Sequence, residues 1–154
     1  MIKNLTVVGE GKIRVNKKLV HKLVGLLSED MDLSIVSLPI NFLSPATIWS
    51  INKQYLGHDY STDIITFNYS GDNKNLDGEI LISAADAAEN AKRYECSLDN
   101  ELLRLVIHGV LHLMGYDDKE IADRKIMKKL ENFLTNKFEY LVHNDRLLYD
   151  SQNS

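Results

Sequence analysis

A chain of 154 residues, 44% hydrophobic and 26% charged, is long and apolar enough to fold as one globular domain spanning residues 1–154, which excludes a disordered protein. Its single cysteine excludes both a disulfide framework and a zinc site built from thiolates. The formal net charge of −4 argues against avid, nonspecific nucleic-acid binding but is compatible with a local basic patch.

The longest largely apolar segment, residues 102–114, contains an arginine and two histidines and is too short to span a bilayer. The first residues lack the apolar stretch of a signal peptide. We therefore expect a soluble, cytoplasmic protein without a membrane partner.

The first half of the chain predicts a strand, a helix, a strand and a helix, at residues 2–8, 14–27, 32–40 and 44–55. The second of these helices has the clearest ends. Ser44 is a typical N-cap residue, Pro45 suits the first helical position, and Gly57 is a typical residue to end the helix.

The second half predicts two strands and three helices, at residues 62–69, 79–83, 83–94, 97–114 and 119–137. The helix that follows Ser97 is apolar on all sides, which is typical of a central, buried helix. The order of elements favours an α+β fold in which a small mixed four-stranded sheet packs with about five helices. The polar tail after about residue 145 is expected to fray.

Two histidines, His108 and His112, lie one turn apart on the predicted buried helix. Their imidazoles project from the same face and can reach one cation, as in the helical zinc motif of the zincins. A lone histidine in such a helix is more often a hydrogen-bonded core residue, and a pair at this spacing also arises by chance. The apolar surroundings favour a metal, because one ion gives both buried imidazoles a partner.

A third ligand is predicted just beyond the helix. Gly115 ends the helix, so Asp118 can fold back beside the histidines and offer an oxygen ligand. The alternatives are Asp117, His58 and His143. Zincin proteases carry a catalytic glutamate where this chain has Gly109, which disfavours a peptidase of that mechanism. The glycine instead permits close approach of a neighbouring strand or of a substrate.

Three blocks of the sequence follow one known signature. The block His108-Gly-Val-Leu-His112-Leu-Met-Gly-Tyr-Asp-Asp118 matches ten of the eleven positions of His-Gly-x-Leu-His-Leu-x-Gly-Tyr-Asp-His. Upstream, Asn52-Lys-Gln-Tyr55-Leu-Gly-His-Asp59-Tyr-Ser-Thr62-Asp63-Ile-Ile-Thr-Phe67 and Gly78-Glu-Ile-Leu-Ile-Ser83 match two further blocks in the same order. Across roughly residues 33–134, the chain resembles the YbeY family.

The resemblance implies a metal-dependent endoribonuclease that prefers single strands. It implies a role in maturation of the 3′ end of small-subunit rRNA and in ribosome quality control, with rRNA or the small ribosomal subunit as partner. It also implies three ligands on the signature, holding one zinc ion.

Two departures from the family pattern change these expectations. Asp118 stands where the family has a third histidine. A carboxylate is a competent zinc ligand, but its charge should raise the pKa of bound water and make a harder cation such as manganese more acceptable. Leu56 stands where some members carry an arginine, so a phosphate-binding role for that arginine cannot be carried over.

Asp63 is the candidate general base, through its place in the Thr62-Asp63 block. The alternative is a carboxylate that caps or braces its loop. Tyr55 and Tyr60 are candidates for base stacking, whereas Phe67 is expected in the core.

A basic stripe on the last helix is the candidate RNA contact. It consists of Arg124, Lys125, Lys128 and Lys129. The alternative, which we favour from the sequence, is a solvated helix face whose charge is balanced by Glu120, Asp123 and Glu131.

Two rival functions remain open. One is a metal-dependent hydrolase of peptides or other small substrates, which Gly109 disfavours. The other is a non-enzymatic ribosome-assembly factor whose metal only stabilises the fold.

Overall fold

A four-stranded mixed sheet organises residues 1–149, which are the residues that the computed structural model describes. Its strands are β1 (Leu5–Gly9), β2 (Ser34–Leu43), β3 (Ile64–Asn68) and β4 (Asn75–Ser83), in the order β1-β2-β4-β3. β2 runs parallel to both β1 and β4, and β3 runs antiparallel to β4. The predicted mixed sheet of an α+β fold is confirmed.

Five helices and one 3₁₀ helix pack with this sheet in the described residues. They are α1 (Lys17–Met31), α2 (Pro45–Leu56), α3 (Ala84–Arg93), α4 (Leu98–Leu113), α5 (Ile121–Phe138) and the 3₁₀ helix Glu139–Val142. α4 contacts β3, β4, α3, α5 and the 3₁₀ helix. It is therefore the central helix, as its apolar composition predicts.

The two faces of the sheet are buried to different extents. One face shares the larger core with α1, α4 and α5, and its fully buried side chains include Leu38, Ile40, Phe42, Ile80 and Ile82. The other face carries a small core in which Ile48 of α2 packs against Ile65 and Leu81. α4 lies on the larger core side, so packing fixes its position.

The ends of the elements follow local chemistry in most places. The Ser44 hydroxyl accepts a hydrogen bond from the Thr47 amide at 3.3 Å, and Gly57 ends α2 with a φ of 70°. Two strands are longer than the sequence predicts. β2 continues beyond residue 40 to Leu43, and β4 begins at Asn75 instead of residue 79. Pairing between these two parallel strands extends both of them.

The prediction that the tail frays after about residue 145 is wrong for residues 145–149. Leu147 is fully buried, and its amide donates to Asp99 Oδ1 at 2.8 Å. Leu148 forms a β-bridge with Val15. The remainder of that prediction falls on residues 150–154, outside the described residues. Within residues 1–149, no helix combines the length and apolarity needed to cross a bilayer.

Candidate metal centre

One polar line runs along the otherwise buried helix α4. Between residues 102 and 113, only Arg104, His108 and His112 are partly exposed. A spacing of four residues places all three on one face of the helix. The helix begins at Ser97, whose hydroxyl accepts a hydrogen bond from the Asn100 amide at 3.0 Å. The cap at the start of the helix and the four-residue spacing thus place the two imidazoles side by side.

Asp118 joins the two histidines as the sequence predicts. The two Nε2 atoms of His108 and His112 are 3.0 Å apart. Asp118 Oδ2 lies 3.4 Å from His112 Nε2 and 3.9 Å from His108 Nε2. Four tetrahedral ligands at zinc bond lengths lie roughly 3.3 Å from one another. The three donor atoms are therefore close enough together to hold a single metal ion.

A tight turn brings Asp118 to this position. Gly115 has a φ of 99°, a conformation that a residue with a side chain rarely adopts. Asp117 Oδ1 accepts hydrogen bonds from the amides of Asp118 and Lys119, at 2.7 and 3.1 Å. Asp117 thus holds the turn, while Asp118 faces the histidines.

The other two alternative ligands are engaged elsewhere. His58 stacks on Tyr60 with ring centroids 5.2 Å apart. His143 lines a separate pocket together with Asp99 and Asp145. In the described part of the chain, the cluster able to hold a metal is His108, His112 and Asp118.

Sequence reasoning missed the carboxylate that orients His108. Glu131 of α5 has a side chain only 5% exposed, and its Oε1 lies 2.5 Å from His108 Nδ1. Arg104 donates to the other oxygen, Oε2, at 2.8 Å. A carboxylate on Nδ1 fixes the tautomer that leaves Nε2 free to bind a metal. The alternative interpretation of the basic stripe counted Glu131 among the charges that balance it. Lys128 does lie beside Glu131, but the Glu131 side chain is buried and also binds His108 and Arg104.

The environment sets the charge of two of these groups. Burial alone would raise the pKa of Glu131, but hydrogen bonds from His108 and Arg104, together with nearby Lys128, lower the pKa to about 2. Burial and the neighbouring His108 lower the pKa of His112. At neutral pH the carboxylate is anionic and the His112 imidazole is neutral, which is the state that binds metal.

A signal for Glu131 was present in the sequence. The buried residues of α5 are Met127, Glu131, Leu134, Thr135 and Phe138. Glu131 therefore lies on the apolar face of an amphipathic helix. A carboxylate at such a position needs a buried partner, and the predicted histidine pair is one.

Gly109 permits close approach of a strand. A Cβ added at Gly109 would lie 2.8 Å from the Ile80 Cδ1 atom of β4. The missing side chain lets α4 pack directly on the sheet. Of the two roles predicted for this glycine, the structure therefore favours strand packing over substrate approach.

The metal centre opens into a cleft of about 430 Å³. Its lining includes His108 and Asp118, together with Asp63 from the segment before β3. Asp63 Oδ2 accepts a hydrogen bond from the Asn90 side-chain amide at 2.9 Å. The structure thus places Asp63 in the same cleft as the histidines and also shows the bracing contact of the alternative interpretation.

Only part of the predicted basic stripe reaches this cleft. Arg124 and Lys128 line it, and Lys128 Nζ lies 3.4 Å from Glu131 Oε2. Lys125 and Lys129 are exposed on α5. They do not belong to the cleft lining found in residues 1–149.

The predicted stacking residues lie on the surface. Tyr55 and Tyr60 are exposed. Phe67 packs against the small core beneath α2, as expected, and the centroid of its ring lies 6.4 Å from that of Tyr55.

The chain is similar to named proteins across most of its length. It matches the sequence model of a family described as endoribonuclease YbeY over residues 7–139. A Chlorobium limicola protein named endoribonuclease YbeY is 38% identical over 124 residues, covering 80% of this chain and 85% of that protein. A Bacteroides thetaiotaomicron protein of the same name is 45% identical over 91 residues, covering 59% and 66%.

A solved structure has the same fold. The solution structure of a Thermotoga maritima protein aligns with a TM-score of 0.62 and 28% sequence identity. The alignment covers 92% of this chain and 95% of that protein.

Proposed function

Since the chain belongs to the YbeY family of endoribonucleases, we propose that it cleaves single-stranded RNA at a metal centre formed by His108, His112 and Asp118. The observation that carries this proposal is the convergence of three donor atoms, 3.0 to 3.9 Å apart, at the wall of a cleft. The partial exposure of all three side chains leaves a face of the site open to substrate.

One zinc ion is the cofactor that we propose. When bound, the ion would supply Lewis acidity toward a phosphoryl oxygen and acidify the attacking water. Two imidazoles and a carboxylate are a donor set that zinc accepts. The carboxylate also makes manganese a more acceptable substitute than it would be with three histidines.

The protein's own side chains would carry the remaining tasks. Glu131 holds His108 in the binding tautomer. Arg124 and Lys128, at the cleft wall, would bind phosphates of the strand, with Lys125 and Lys129 contacting the strand farther along α5.

Asp63 is the residue that we propose as general base. It shares the cleft with His108 and Asp118. Its Oδ2 atom is held by Asn90, whereas Oδ1 has only a long contact of 3.4 Å with the Thr62 hydroxyl. Oδ1 is thus the atom better able to accept a proton from water.

Ribosomal RNA of the small subunit, near its 3′ end, is the substrate that the three sequence blocks favour. A role in ribosome quality control would follow from the same activity. We propose accordingly that the protein acts in the cytoplasm.

A substrate panel tests the proposed activity. We expect the zinc-loaded protein to cleave single-stranded RNA in preference to duplex RNA and to leave peptides intact. His112→Ala should abolish cleavage, whereas the matched control His143→Ala, outside the cleft, should not. Peptide turnover without RNA cleavage would replace this proposal with the small-substrate hydrolase.

A further inference from the structure

The cleft continues beyond the metal centre toward the N-terminal half of α4. Glu101 and His108 lie seven residues apart on α4, and both line the cleft. Two helical turns place them on the same side of the helix, about 10 Å apart along its axis. Glu101, with Asn90, Tyr94 and Asn100, forms the part of the cleft that we name the distal pocket.

The distal pocket offers buried hydrogen-bond acceptors. Glu101 is only 4% exposed, and its neighbour Asn100 has a buried Oδ1 atom without a hydrogen-bond donor in residues 1–149. Burial raises the pKa of Glu101 and the charge of Asp63 adds to that shift, whereas Arg104 and a hydrogen bond with Asn90 oppose it. A buried acceptor that lacks a donor, as Asn100 Oδ1 does, is costly, so a ligand that supplies donors would be favoured here.

The other end of the cleft has the opposite character. Arg124 and Lys128 line it beside the histidines, and a metal ion would add further positive charge. A ligand that matches both ends has an anionic group at the metal centre and hydrogen-bond donors on the side of the distal pocket. A nucleotide unit has this arrangement, because its phosphate and the edge of its base lie at opposite ends.

We propose that the distal pocket binds a guanine base of the RNA strand whose phosphate lies at the metal centre. The ring N1–H and the exocyclic amino group of guanine are adjacent donors that match the two oxygens of the Glu101 carboxylate. The Asn100 Oδ1 atom offers a further acceptor for the amino group. Tyr94, 65% exposed at the rim, supplies an aromatic ring for stacking. This proposal rests on the proposed function, because it takes RNA as the ligand.

The other bases match the distal pocket less well. Adenine and cytosine have an amino group but no ring N–H beside it. Uracil has one ring N–H between two carbonyl oxygens, which two acceptor side chains would repel. Guanine alone presents two neighbouring donors on one edge.

Mononucleotide binding tests the proposal separately from catalysis, because a mononucleotide has no internucleotide phosphodiester bond for an endoribonuclease to cleave. We would measure the Kd of the zinc-loaded protein for guanosine and inosine 5′-monophosphates, which differ only in the exocyclic amino group. Loss of matched hydrogen bonds to that group should weaken binding roughly tenfold for inosine. Glu101→Gln should remove this preference, whereas Glu89→Gln, which removes the same charge from an exposed position, should keep it.

A second variant guards against misfolding of Glu101→Gln. Asn100→Ala removes an acceptor that has no donor, so it should fold normally and still reduce the preference for guanosine. Equal affinity of the unaltered protein for the two nucleotides would overturn the distal pocket as a guanine site. RNA cleavage together with equal affinity rejects only this inference, and guanosine preference without any RNA cleavage rejects only the proposed function.

Discussion

The two regions that supply the proposed metal ligands are built differently. His108 and His112 belong to a buried helix held by β4 through Gly109 and by α5 through Glu131. Asp118 belongs to an exposed turn. Its backbone amide is held by a hydrogen bond to the adjacent residue, Asp117. The helix therefore fixes most of the ligand geometry, and the turn completes it with a ligand that can adjust.

Removal of a helix ligand should have the largest effect. We expect His108→Ala to reduce zinc affinity by more than roughly 100-fold, since even the partners of zinc ligands contribute 10- to 100-fold. RNA cleavage should disappear. Circular dichroism should still show a folded protein with a lowered unfolding midpoint, because Glu131 loses His108 but keeps its hydrogen bond from Arg104. Unfolding of this variant would instead support a metal that only stabilises the fold.

Removal of the turn ligand should have a smaller effect. Asp118→Ala leaves both histidines in place, so we expect weaker but detectable zinc binding by metal titration. Asp118→His should restore tight zinc binding and reduce the affinity for manganese relative to zinc, since a nitrogen ligand replaces a hard oxygen. Unchanged metal content in Asp118→Ala would reject Asp118 as a ligand.

Loss of the carboxylate behind the helix ligand should weaken the site without removing a ligand. We expect Glu131→Gln to lower zinc affinity by about 10- to 100-fold, because the His108 tautomer is no longer fixed by an anion. Zinc titration followed by competition with a chelator measures this change. Lys125→Gln, an exposed change on the same helix, is a suitable control for metal binding.

In the metal-free protein, Glu131→Gln should also change how the free energy of unfolding depends on pH. The pKa of Glu131 is about 2 in the folded protein, below the ordinary glutamate value of 4.5. The anion therefore stabilises the fold above pH 4.5, and this contribution is lost as the pH falls from 4.5 toward 2. Urea unfolding over that range should show a shallower loss of unfolding free energy in Glu131→Gln. Identical pH profiles would contradict this role of Glu131.

Two glycine substitutions should have the smallest effects on zinc affinity. They test the two regions separately, because Gly109 lies in the helix and Gly115 in the turn. Gly109→Ala forces a Cβ against Ile80, so the free energy of unfolding should fall by about 1–3 kcal/mol. Gly115→Ala meets no atom within 4 Å but strains a positive φ, so it should cost about 1 kcal/mol and shift Asp118. Urea unfolding and zinc titration of both variants measure the two responses. If Gly115→Ala lost more unfolding free energy than Gly109→Ala, the turn rather than the helix would be the more tightly constrained region.

The sequence predicted the parts of this site that depend on local order. The spacing of His108 and His112 and the glycine stop before Asp118 are local, and the structure brings these three residues together. Glu131 was missed because its role depends on α5 packing beside α4, which spacing along the chain does not show. The longer β2 and β4 were missed for the same reason, since pairing between distant segments extends them.

The packing of the tail also depends on contacts with residues that are distant in the sequence. Its polar composition predicted fraying, but a single apolar residue, Leu147, outweighs that composition by entering the core. A prediction from composition depends on the average polarity of a segment, whereas burial depends on individual side chains.

The attachment of Leu147 has a practical consequence for handling the protein. Its amide is bound to Asp99 in the first turn of α4, the same helix that carries the histidines farther along. Truncation before residue 144 would take a fully buried leucine from the interior and loosen the start of that helix. A chain shortened in this way should therefore unfold more readily than the full chain.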